Sequence, residues 1–157
     1  MSSKLLKTIF VSSVLLSLSA CSNLTANLSP TQKAEQEKLY EDTKNYSALI
    51  SLYRNQLKLN QDPLIQYKLA KSYYLAGDSK SSLLYLEPLR FSQLPFNEDI
   101  ELLYIRNQIQ AGAYNDAYLA ATDLIFQSPR SSEAYNLRGI SLAQLGKLAA
   151  AEKDLSR

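Results

Sequence analysis

The sequence predicts an all-α chain, a solenoid of stacked helical hairpins, and three observations predict it. From Thr31 onward apolar residues recur at helical spacing, with no sustained alternation of the kind a half-buried strand requires. Gly77, Gly112 and Gly146 recur at nearly equal intervals, each followed by a further amphipathic stretch, which marks an internal repeat. Pro95 and Pro129 fall between the glycines, where a proline forbids a helix from running on into the next unit.

Residues 1–20 read as an export segment. Lys4 and Lys7 supply a positive start, and Ile9 to Leu18 an apolar run broken only by serines. That run is shorter than the roughly 20 residues a membrane-spanning helix needs. Leu18-Ser19-Ala20-Cys21 closes it and resembles the lipobox of bacterial lipoproteins. The resemblance implies cleavage before Cys21 and diacylglycerol on its sulfur. The alternative is an ordinary cleaved signal peptide with a cysteine beside a small-residue site. Each buried acyl methylene contributes about 0.8 kcal/mol, so several chains anchor a protein without a spanning helix. Ser22 stands where many lipoproteins kept at the inner membrane carry aspartate, which implies the outer membrane, periplasmic face. Residues 21–30 are rich in Ser, Asn and Thr and are expected to be a flexible tether.

The folded part is expected to span 31–157. A degenerate pair covers about 31–62, with Thr31 to Tyr40 as one helix and Asn45 to Leu59 as the other; the second carries Ala48, Leu49, Leu52, Tyr53 and Leu57 at helical spacing. The period is that of the tetratricopeptide repeat, and the clearest unit, 63–96, resembles that family. It has Leu69, Ala70 and Tyr73 before Gly77, then Ser82, Leu86 and Leu89 before Pro95. In 97–130 the matching places hold Tyr104, Gly112, Ala117, Leu124 and Pro129, but Ile105 and Gln108 depart from the small and aromatic positions. In 131–157 they hold Tyr135, Gly139, Leu142, Gly146 and Ala151, with Arg138 where leucine is usual.

Each pair buries too little alone, and stacking makes one core. Small residues at Ala70, Ala117, Gly139 and Ala151 are expected at close helix crossings, where a larger side chain overpacks at roughly 1–3 kcal/mol. The three period glycines suit the left-handed residue that ends a helix. Leu155-Ser156-Arg157 stops inside the last helix, so the expectation is either a shortened form of a longer array or a partner covering the exposed side.

Composition excludes much chemistry. With no histidine and one cysteine, histidine acid–base catalysis, a disulfide framework and nearly all cysteine/histidine metal sites are ruled out. Two of the 17 lysines and arginines lie in residues 1–20, which hold no acid, so 15 remain against 15 acids. A neutral mature chain gives no support for a nucleic-acid partner. Glu98, Asp99 and Glu101 invite a paired-carboxylate or calcium reading, but they open a helix after Pro95, Phe96 and Asn97, where the helix dipole favours acids and Asn97 suits an N-cap. Ser131 and Ser132 before Glu133 read as another N-cap with a first-turn acid. No phosphate loop or nucleophile elbow is present. The chain is therefore expected to be no enzyme, to hold no metal, and to carry no cofactor beyond lipid on Cys21.

Tyr73, Tyr85 and Tyr135 sit at core-type positions. Tyr67, Lys71, Tyr74, Leu102, Arg106 and Asn136 fall at first-helix positions that in the tetratricopeptide family line a concave groove and hold peptide ligands. Tyrosine and arginine suit such a groove because each gives large contact area with a polar handle. The plain alternative is that these are solvated helix residues.

Tyr46 to Leu57 (YSALISLYRNQL), Lys68 to Leu86 (KLAKSYYLAGDSKSSLLYL) and Ala134 to Gly146 (AYNLRGISLAQLG), together with the lipobox, resemble the TadD family, the tetratricopeptide lipoproteins of the tight-adherence (Flp pilus) secretion system. The resemblance spans nearly the whole chain and implies an outer-membrane adaptor for pilus assembly, with the secretin or other Flp pilus components as protein partners. Other repeat lipoproteins share the skeleton. A type IV pilus pilotin, a scaffold of outer-membrane or cell-wall assembly, and a carboxylate-based cell-wall enzyme stay open beside it.

Overall fold

The computed structural model describes residues 29–95 and 97–157. The expectations for the export segment, for Cys21 and for most of the tether lie outside the described residues. The chain divides into two units, Met1–Asp42 and Thr43–Arg157.

In the first unit, helix α1 spans Pro30–Asp42. Its start is a reciprocal capping box: Gln32 N–H donates to Ser29 Oγ at 3.3 Å and Ser29 N–H to Gln32 Oε1 at 2.9 Å, with Pro30 at the first helical position. The helix is mostly polar, with Leu39 exposed, and none of its residues is buried.

The second unit holds α2 (Tyr46–Leu59), α3 (Pro63–Leu75), α4 (Ser79–Arg90), α5 (Asn97–Gln110), α6 (Tyr114–Gln127), α7 (Ser132–Gln144) and α8 (Leu148–Leu155). Among the described residues there is no strand. Each helix packs on the next, and α5 also touches α3 and α7, whereas α2, α4, α6 and α8 do not touch one another. The result is two layers, with α3, α5 and α7 forming the continuous inner one.

The repeat is written into the backbone of the turns. Gly77 has φ +85°, Gly112 +76° and Gly146 +75°. Gly77 N–H donates to Tyr74 O and Asp78 N–H to Tyr73 O, both at 2.9 Å, which is the Schellman arrangement that satisfies a helix's last carbonyls. Gly112 with Ala113, and Gly146 with Lys147, repeat both bonds. A Cβ at any of the three would meet nothing within 4 Å, so the requirement for glycine is conformational rather than steric. Lys44 stands one period before Gly77 and is also left-handed, at φ 52°. Asn45 Oδ1 then accepts from Ala48 N–H at 3.2 Å, as Asp78 Oδ1 accepts from Ser81 N–H at 3.0 Å.

Helix α5 joins the core. Its Ile100 and Leu103 pack with Ala70, Leu86 and Leu89, while its Leu102 and Ile105 pack with Ala117, Ala121, Leu124 and Leu137. Ala70, Ala117 and Ala151 are buried, as their positions predict. A Cβ on Gly139 would lie 2.7 Å from Leu155 Cγ and 3.3 Å from the Ala151 carbonyl, so α7 and α8 meet where only glycine fits without movement. Tyr73 and Tyr85 stack at 5.7 Å between centroids, closing the α3–α4 hairpin, and half-buried Tyr135 packs against the α5–α6–α7 core.

A second periodic set is polar. Ser72, Asn107 and Ser141 are buried at the same place in successive repeats, and each side chain donates to the carbonyl four residues back at 2.8 Å. That bond satisfies a buried donor inside its own helix, so a polar side chain is tolerated in the core.

Two boundaries differ from expectation. Helix α4 ends at Arg90, well before Pro95, and contains Pro88 in its last turns. Pro88 supplies no N–H, so proline weakens this helix earlier than Pro95 would. Asn97 is the first residue of α5 rather than the residue before it, and its Oδ1 turns back to accept from Leu94 N–H at 3.0 Å.

Candidate functional site

The inner face is lined from α3, α5 and α7. Tyr67, Lys71 and Tyr74 follow one another at single-turn spacing, which puts them on one side of α3. Lys71 is exposed, while Tyr67 and Tyr74 are half-buried against the α3–α4–α5 core. Asn136, on α7, is exposed. Leu102 is instead a core side chain, 7% exposed, because an apolar residue at this register gains more from the α5–α6–α7 cluster than from the surface.

Arg106, on α5, forms an ion pair with Glu133 in the first turn of α7. The two side chains are 33% and 41% exposed, so the pair contributes at most about 1 kcal/mol to stability. Its value is in holding the guanidinium at a fixed place between two helices. The Tyr67 phenol is raised above its ordinary value, first by burial and then by Asp99, with Arg106 opposing and Glu133 adding to the rise. Tyr67, Asp99, Arg106 and Glu133 thus lie within electrostatic reach across three successive inner helices. The strip offers a phenol, a guanidinium and two acidic side chains, with Lys71 and Asn136 open to solvent beside it.

Asp99 and Glu133 are readable in the sequence only as helix-start acids. A signal for them exists: they occupy the same repeat position in successive units, and Asp99 lies two helical turns from Arg106 on the same helix. Ser131 occupies the N-cap of α7 without a side-chain cap bond, which leaves Glu133 as the residue with a role there. Gln110 closes the α3 end of this face, accepting from Ser79 Oγ and donating to the Tyr74 carbonyl at 3.5 Å.

The three acids of α5 diverge. Glu98 accepts from Ser128 Oγ at 3.3 Å, exposed Asp99 contributes to raising the Tyr67 pKa, and Glu101 takes Arg90. They do not form a paired-carboxylate arrangement. Arg90 reaches from α4 with Nε and Nη2 each 3.0 Å from Glu101, and its guanidinium lies 3.5 Å from the Tyr104 ring centroid. Burial alone would lower the Arg90 pKa, but the hydrogen bond and charge of Glu101 raise it on balance. Arg138, at the repeat position that Leu69 holds in α3, binds Asp154 of α8 through Nε at 2.6 Å and Nη2 at 2.8 Å. Each of these ion pairs joins an outer helix to an inner one, α4 to α5 and α8 to α7.

Among the described residues no group of three or more cysteine, aspartate or glutamate side chains is placed to share a metal ion, and no helix is long and apolar enough to cross a membrane. No model of a known protein family matches the sequence, and no curated protein matches it.

Proposed function

We propose that this chain is a lipid-anchored adaptor on the periplasmic face of the outer membrane, whose inner helical face holds a segment of a protein partner during assembly of the tight-adherence (Flp) pilus machinery. The observation that carries the binding part is the strip of Tyr67, Asp99, Arg106 and Glu133 across α3, α5 and α7. A half-buried phenol gives contact area at low entropic cost, and a guanidinium pinned by a carboxylate is ready to meet backbone carbonyls or a partner's acid. The tetratricopeptide identity of the hairpins is part of the same reading, supported by their period and their Schellman turns. The pilus, and the secretin as partner, come from the likeness of the three quoted segments to the TadD family. Lipid on Cys21 confines adaptor and partner to one membrane, raising their effective concentration without a new contact. The reading assigns the chain no reaction, no cofactor besides the lipid and no nucleic-acid partner.

The test places a photo-crosslinking residue at Asn136, exposed beside the strip, and identifies the adducts formed in the native cells by mass spectrometry. Adducts with the secretin or another Flp pilus component support the reading. Adducts confined to general outer-membrane assembly factors or cell-wall enzymes reject the pilus assignment. Cys21→Ala checks the anchor: the protein should be found soluble or as an uncleaved precursor, and undiminished lipid labelling would rule the anchor out.

A further inference from the structure

The stack has three outer grooves, each floored by an inner helix and walled by two successive outer helices. Aligning them on Lys44, Gly77, Gly112 and Gly146 places Leu57, Arg90 and Ile125 in one position, and Leu69, Tyr104 and Arg138 in another. In the α4–α6 groove, Arg90 covers Tyr104 and is neutralised by Glu101. In the α6–α8 groove, Arg138 is paired with Asp154, and Lys153 and Arg157 stand beside them. Each of these grooves contains an arginine paired with a carboxylate of its own.

The α2–α4 groove is different. It encloses about 440 Å³, with Leu57, Leu69, Leu84 and Pro88 as its apolar lining and Arg54 and Lys58 along α2. Arg54 and Lys58 are one helical turn apart and share a face. No acid lines this groove, and neither cation has an ion pair among the described residues. Its residues at the places of Glu101 and Asp154 are Gln66, which donates to the Tyr85 carbonyl at 2.8 Å, and Tyr85 itself, stacked on Tyr73. The Leu84 side chain stands 70% exposed on its wall.

We infer that the α2–α4 groove is a second protein-docking surface, whose occupant is an acidic segment of another protein that places large apolar side chains on Leu57 and Leu84 and carboxylates on Arg54 and Lys58. Charge complementarity selects this occupant: the partner brings the acid that the other two grooves contain. Residues 1–28 hold no aspartate or glutamate and so cannot supply it. The chain's own acids before the second unit, Glu35, Glu37, Glu41 and Asp42, lie on α1, and a groove that takes the peptide only once residues 30–42 are removed would belong to α1 instead. The surface lies on the opposite layer from the Tyr67–Arg106 strip, so the two can be engaged at once, and either can fail without the other.

The experiment is subtractive peptide display. A random peptide library is panned on the purified full-length protein and depleted on the Arg54→Glu/Lys58→Glu variant, with Arg54→Gln/Lys58→Gln as the second variant should reversal disturb the helical circular dichroism. The expected survivors are rich in Asp and Glu next to Leu, Ile or Phe. A synthetic peptide of that consensus should bind the wild type about tenfold more tightly than the variant, with the difference shrinking as salt rises. Survivors without acidic enrichment overturn the inference. So does sedimentation with phosphatidylglycerol vesicles, or self-association, that is lost in the same variant: these give the groove to a lipid surface or to a second copy of the chain.

Discussion

The α3–α4 and α7–α8 hairpins are the same backbone solution held together by opposite chemistry. Both turn through a left-handed glycine, Gly77 or Gly146, with the same pair of carbonyl-satisfying bonds. Leu69 and Arg138 occupy one position of the repeat, and Tyr85 and Asp154 another. In the first hairpin these places hold a fully buried leucine and a tyrosine stacked on Tyr73. In the last they hold a two-bonded ion pair, beside a Gly139 contact too close for a Cβ. The period therefore constrains turn geometry, and at these two positions leaves volume and polarity free as long as charge is matched within the pair. Where the last hairpin has arginine at 138 in place of the first hairpin's leucine, it has aspartate at 154 in place of tyrosine.

The largest effect should come from breaking that match. Asp154 is 6% exposed and Arg138 21%, so Asp154→Ala strands a guanidinium in a largely desolvated place and should cost about 2 kcal/mol in urea denaturation. Arg138→Leu with Asp154→Ala returns the site toward the apolar solution of α3–α4 and should cost less than Asp154→Ala alone. Equal losses for the single and double variants would show that the two side chains are not coupled.

Next comes the turn. Gly77→Ala introduces no steric contact but places an L-residue at φ +85°, and should destabilise by about 1 kcal/mol. Lys44→Gly is the mirror experiment at the turn where the sequence holds no glycine: φ 52° is already left-handed, so removing the Cβ should stabilise by about 0.5 kcal/mol. If both changes moved stability the same way, conformational strain would not be what sets these positions.

Much of this was legible because turns and volumes are local properties. Gly77, Gly112 and Gly146, and the buried Ala70, Ala117 and Ala151, are fixed by spacing alone, and the structure places each as that spacing requires. The polar core set was equally periodic but hidden. Ser72, Asn107 and Ser141 look like breaks in the apolar stripe until the carbonyl bonds to their own helices are seen. Leu102 reads as a groove residue because its repeat equivalents are Tyr67, which is half-buried, and Asn136, which is exposed. Helix α5 packs on α3, α4, α6 and α7, so only there is the side chain at that register buried in the core. The Arg106–Glu133 pair joins two different repeats and depends on how closely α5 approaches α7, which no local pattern encodes. The carboxylate diversion of Glu101 to Arg90 was hidden for the same reason.

The smallest effect tests how far one repeat position can be read from its equivalents. Ser82 is fully buried, and among the described residues its Oγ has no hydrogen-bond partner. Ala117 and Ala151 fill the same position in the next two repeats, also buried. A buried hydroxyl without a partner loses its bond to water and gains none in return, which costs about 1–3 kcal/mol, while the oxygen recovers part of that through dispersion with its neighbours. Alanine also has the higher helix propensity. Ser82→Ala should therefore stabilise the protein by about 0.5 kcal/mol, seen as a small rise in Tm and in the urea midpoint. A loss of stability would mean that the hydroxyl bonds a carbonyl of its own helix in solution, as Ser72 and Ser141 do, and that the α3–α4 crossing is wider than the volume pattern of Ala117 and Ala151 implies.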